Sequence, residues 1–135
     1  GWVSNSPETV WFYDKMAWIA RQLNAMFYRF DLTGFVEDMQ FTVYDGEGDH
    51  YEWHVDAGVN HTAPRKFSLV LQLTDPAKYK GGELQLQIGK DPTAVKRERG
   101  LVAAFPDGIG DVELAPVKGV NNSYTNESPS ASVAL

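Results

Sequence analysis

Cysteine is absent from the 135 residues, which excludes disulfides, thiolate metal sites and a thiol nucleophile and fits a reducing compartment. Any bound metal must be held by nitrogen and oxygen. Long apolar runs are missing too. The best, "FSLVLQL" and "LVAAF", fall short of the roughly 18–20 residues of a membrane span, and no basic stretch leads into an apolar one at the N-terminus. The reading is a soluble, cytoplasmic protein with no membrane partner. Positive charge is in short supply, with 12 Lys and Arg against 18 Asp and Glu and a net charge of −6. That balance weighs against nucleic acid, whose phosphates are met by a basic stripe. Histidine is scarce as well, at three residues.

What is present suffices for one domain. A chain of this size buries about 68–70% of its unfolded surface, enough for a core without covalent staples. In "SPET", Ser6 reads as an N-cap, Pro7 as the first helical residue and Glu8 as first-turn acid. Met16, Ile19, Ala20, Leu23, Met26 and Phe27 then recur at helical spacing, which predicts a helix over 7–30. After "DLTG" the pattern changes to short stretches rich in β-branched and aromatic residues: "MQFTVY", "HYEWHVD", "KFSLVLQLT", "GELQLQI" and "GLVAAF". Glycine-rich and charged turns separate them, so they read as strands. One helix followed by a run of strands predicts a mainly β, α+β domain, with the helix packed on an antiparallel sandwich or barrel. Gly81 and Gly82 in "DPAKYKGGEL" read as a turn between strands. The segment 120–135 is polar and reads as loop or disorder with at most one weak terminal strand.

Chemistry concentrates in "HYEWHVDAG", residues 50–58. Residues two apart on a strand share a face, so His54 and Asp56 present an imidazole and a carboxylate side by side. Two histidines and one carboxylate on one face of an octahedron leave three positions open, the arrangement of non-heme Fe(II) oxygenases. Taken alone, a His-x-Asp pair in a strand is more often ordinary polar surface. A second metal reading pairs His50 with His54, four apart as in helical zinc proteases. That site needs Glu directly after the first histidine, whereas Glu52 would lie about 200° around the helix, on another face. His61 falls in a predicted loop and reads as exposed.

From about Trp11 to Pro106 the chain resembles the Fe(II)- and 2-oxoglutarate-dependent dioxygenases, in particular the PKHD-type hydroxylases related to prolyl 4-hydroxylases. The stretches that carry the resemblance are "FDLTGFVEDMQFTVYDGEGDHYEWHVDAG", "RKFSLVLQLTDPAKYKGGELQLQI" and "RGLVAAFP". The resemblance implies a double-stranded β-helix, or jelly roll, with its core at 39–119. It implies Fe(II) held by His54 and Asp56, 2-oxoglutarate as co-substrate, O₂, and ascorbate as an accessory. The reaction implied is hydroxylation of a C–H bond on a peptide side chain or a small molecule. Tyr44 matches a tyrosine that hydrogen-bonds the 2-oxoglutarate carboxylate in related hydroxylases; read by itself, it is equally a strand tyrosine packing its ring. Tyr51 and Trp53 would line or fill the mouth.

Beyond "FP" the chain departs from the family. No histidine follows, and Asp111 or Val112 stands about where the distal one belongs. The basic residue that grips 2-oxoglutarate would fall near Asn121, with Lys118 the nearest cation. Three readings account for this: a catalytically silent jelly-roll binding module, a truncated or frame-shifted C-terminus, or a carboxylate-rich site that uses Asp111. The second explains every loss at once.

Overall fold

The computed structural model describes residues 1–35, 37–44, 48, 50–54, 66–87, 89–106, 111–114, 117–120 and 130–134. One substantial helix, α1 (Val10–Leu23), is followed by a π-helical turn at Asn24–Tyr28. The strands are β1 (Trp2–Val3), β2 (Met39–Thr42), β3 (Tyr51–His54), β4 (Phe67–Gln72), β5 (Tyr79–Gly81), β6 (Leu84–Gln87), β7 (Thr93–Ala94), β8 (Val102–Pro106), β9 (Asp111–Leu114), β10 (Val117–Val120) and β11 (Ser130–Ala134).

The helix starts later than the sequence predicts. Its N-cap position is Thr9, not Ser6, and no side chain caps it. The reason is local competition: the Ser6 hydroxyl donates to Glu8 at 2.8 Å, and the Ser6 N–H donates to Thr9 Oγ1 at 2.9 Å. Both groups are spent on a turn that precedes the helix. That hydroxyl also holds the Glu8 carboxyl below its ordinary pKa. At the far end, Arg29 adopts a left-handed φ of 55°, and Asn24 exchanges hydrogen bonds of 2.8 and 2.7 Å with the backbone of Phe30. This closes the helix as an αL cap does.

All strand pairings found are antiparallel. One sheet has the order β1-β2-β11-β4-β8, a second β3-β9-β6-β7, and β10 pairs with β5. Alternation along β4 and β8 sorts their side chains into two layers. Leu69 joins Tyr13, Met16 and Ala20 of α1 and Met39 of β2, with Leu71, Val102 and Ala104 against the same cluster. Val70, Ala103 and Phe105 instead meet Leu84 and Leu86 of the second sheet. The five-stranded sheet therefore carries the helix on one face and the four-stranded sheet on the other. Tyr13 ties the helix side together, donating to Val3 O at 2.6 Å while its hydroxyl accepts from Met39 N–H at 3.2 Å.

Between β5 and β6 the chain reverses at Gly81 and Gly82, both buried and both left-handed, with φ of 72° and 64°. A side chain at either would be strained, which accounts for the glycine pair. Just before, Asp75 accepts from Ala77 N–H at 2.9 Å and caps the 3-10 turn Pro76–Lys78. In the polar 120–135 segment, Ser130–Ala134 form β11, paired on one side with β2 and on the other with β4. The strand series thus runs beyond residue 119.

Candidate active site

The segment that holds His54 is extended, since Tyr51–His54 form β3. This overturns the helical zinc-protease spacing of His50 and His54. His50 is an exposed residue whose Nδ1 lies 2.8 Å from Gly48 O and whose Nε2 lies 3.9 Å from the exposed Glu52.

In the ladder, Tyr51 pairs with Leu114 and His54 with Val112. Three steps along β3 thus match two along β9, so β3 holds one extra residue between these pairs. Such bulges re-aim a strand locally and are common beside active sites. Val112 pairs in turn with Leu86, and Asp111 with Gln87. The row through His54 therefore runs to Val112 and Leu86, and Leu86 packs against Val70, Leu84, Ala103 and Phe105. Tyr44 packs on the same cluster. The fold thus links the His54 backbone through Val112 to Leu86, whose side chain shares an apolar layer between the sheets with the ring of Tyr44.

Of the remaining predicted residues, Asp111 and Lys118 lie on described strands. Asp56 and His61 lie outside the described residues. Asp111 pairs with Gln87, one position along β9 from the Val112 that pairs with His54. Lys118 belongs to β10, at the irregularity between the Val117–Gly81 and Gly119–Lys80 pairs, in the two-stranded ladder with β5.

Sequence reasoning passed over Arg97, set in the charged run "KRERG". Its half-buried guanidinium lies 5.3 Å from the centre of the Tyr79 ring, donates to Gly81 O at 3.1 Å and approaches Glu83 at 4.0 Å. Burial raises the Tyr79 pKa above its ordinary value; the Arg97 charge opposes that shift. No spacing signal marks this cluster; only the chain reversal at Gly81 brings it together.

Comparison with known proteins decides the family. A family model described as the 2OG-Fe(II) oxygenase superfamily matches residues 39–120. The chain belongs to that superfamily. Over 59 residues it is 34% identical to a PKHD-type hydroxylase of Synechococcus sp. (strain CC9902), a match covering 44% of this chain and 27% of that relative. The chain thus matches about a quarter of that relative's length. A crystal structure of a Pseudomonas putida prolyl-4-hydroxylase is similar over 99% of this chain and 68% of its own, with a TM-score of 0.70 and 18% identity. A 2OG-Fe(II) oxygenase family oxidoreductase from Burkholderia pseudomallei matches 65% of this chain and 37% of its own, with a TM-score of 0.50 and 21% identity.

The superfamily implies Fe(II) and 2-oxoglutarate, so the donor set can be tested against this fold. Two histidines and one carboxylate are required. With three histidines in the whole chain, none lies on β9, and the residue across from His54 is Val112. Among the described residues no group of three His, Cys, Asp or Glu side chains comes together. The described residues therefore do not complete the set.

Proposed function

We propose that this superfamily member is an Fe(II)- and 2-oxoglutarate-dependent hydroxylase built on a double-stranded β-helix, acting on a peptide side chain. The observation that carries the proposal is the family match over 39–120, which contains the strand that ends at His54. The match to a prolyl-4-hydroxylase structure supports a peptide over a free small molecule. Iron and 2-oxoglutarate would supply oxidising power that no side chain has; the chain supplies ligands, orientation and an apolar wall.

In this reading His54 and Asp56 are the metal ligands and Tyr44 and Lys118 are the side chains nearest the co-substrate. Asp111 is the candidate third donor, one register position from the row of His54. Lys118 is a flexible point charge, a weaker grip on a carboxylate than a planar guanidinium. Turnover should accordingly be slow and partly uncoupled, with 2-oxoglutarate decaying to succinate in excess of hydroxylated product.

Anaerobic Fe(II) or Co(II) titration, with and without 2-oxoglutarate, tests the ligand set. Loss of a partner that merely orients a ligand costs a metal site about 10–100-fold, so His54→Ala should cost more than about 100-fold. Unchanged affinity in that variant would refute the site. Absence of binding in the parent chain would favour a jelly-roll module that binds without catalysis.

A further inference from the structure

The face of α1 turned away from the core is aromatic. Tyr13, Met16 and Ala20 are buried, whereas Trp11 is 68% and Trp18 52% exposed. At about 100° per residue, two positions seven apart lie within about 20° of each other. Trp11 and Trp18 therefore form one stripe, opposite the buried one. Lys15 reinforces it, with Nζ 5.4 Å from the centre of the Trp18 ring. Large apolar residues grouped on a surface mark an interaction site more often than chance exposure does.

The charges beside the stripe indicate what covers it. Asp14 and Arg21 are exposed, seven residues apart, and lie on the same side of Trp18 by the same helical arithmetic. Among the described residues neither has an ion-pair partner. A two-fold axis near Trp18, with two α1 helices antiparallel, sets Asp14 of each copy beside Arg21 of the other. It also stacks the two Trp18 rings at the axis. Such a patch is self-complementary, as an isologous contact must be. A lipid surface fits less well: anionic membranes select a strongly cationic rim, whereas here Asp14 offsets one of the two cations Lys15 and Arg21, in a chain of net charge −6.

We propose that the Trp11–Trp18 face of α1 is an interface between two copies of this chain. One helix pair lies at or below the low end of specific interfaces, about 1,200 Å² in total, so the association is weak and depends on concentration.

Sedimentation velocity on the full chain, from about 1 μM to about 1 mM, spans the relevant affinities. The parent should shift from monomer to dimer across that range. Trp18→Ala should weaken the association by about tenfold or more, as loss of a central aromatic does. Asp14→Arg and Arg21→Asp should each push the equilibrium to monomer, because each sets like charges against each other twice across the axis. The double variant D14R/R21D should recover the dimer, since the swap restores both pairs in a self-contact and in no other kind. All these positions are exposed, and circular dichroism verifies that each variant keeps its fold. A parent that stays monomeric throughout, or a double variant no more associated than the single ones, overturns the proposal. So does a monomer that binds neutral or anionic vesicles through the same tryptophans.

Discussion

The two larger sheets are built to different standards. In the five-stranded sheet, β4 pairs residue for residue with β11 and with β8 over five consecutive positions each, without a break in register. In the four-stranded sheet the strands are four, four, four and two residues long, and the ladder slips by one residue between Tyr51 and His54. The first sheet is covered on both faces, which rewards straight ladders and alternating apolar residues. The second holds the candidate site, and beside His54 a bulge interrupts its regularity. Under the proposed function, stability and chemistry are divided between the sheets, and substitutions should separate them.

The largest effect should come from the first sheet's centre. Leu69 is fully buried, and Leu69→Ala should cost about 2–5 kcal/mol in urea unfolding. Leu86→Ala in the second sheet should cost less, since Leu86 is only partly buried. Equal losses would erase the contrast. Next is Gln72, whose buried side chain donates to Lys96 O at 2.8 Å and accepts from Glu98 N–H at 3.1 Å. Gln72→Leu strands both backbone groups and should cost about 1–3 kcal/mol. It should also speed proteolytic cleavage in the 95–101 connection, and an unchanged digestion pattern would count against that anchoring role. The smallest effect sharpens the site. Val112→His places an imidazole across from His54 and should tighten Fe(II) or Co(II) binding by about tenfold, or about 1.4 kcal/mol. Asp111→His should do less, and the reverse order would mean that position 111, not 112, supplies the third donor.

Local pattern made much of this legible before any coordinates. The helix announced itself through its apolar spacing, and β2, β4, β6 and β8 through short runs of β-branched, aromatic and other apolar residues bounded by turn residues. What stayed hidden depends on partners distant in the chain. β1 and β7 are two residues long, too short for any period to register. β11 registers at most as one weak terminal strand, because "SASVA" has small side chains in a polar tail, yet it pairs on both sides. At the candidate site, His54 was legible as a ligand type. The choice between Asp111 and Val112 was not, because a bulge of one residue moves every partner along the ladder and leaves no mark in a single sequence.

The position of β11 sets a timetable for folding. Ser130 pairs with Thr42 and with Gln72, so the strand between β2 and β4 is contributed by residues far downstream of both. Until that segment arrives, β2 and β4 expose facing backbone edges with no neighbour, and open edges recruit other chains. Contacts this distant in sequence close slowly, because a long loop must be ordered before the pairing rewards it. A chain stalled or cleaved before Ser130 would leave a gap in the middle of its main sheet, with sticky strands on either side. Its failure would be aggregation, well before any loss of chemistry could be measured.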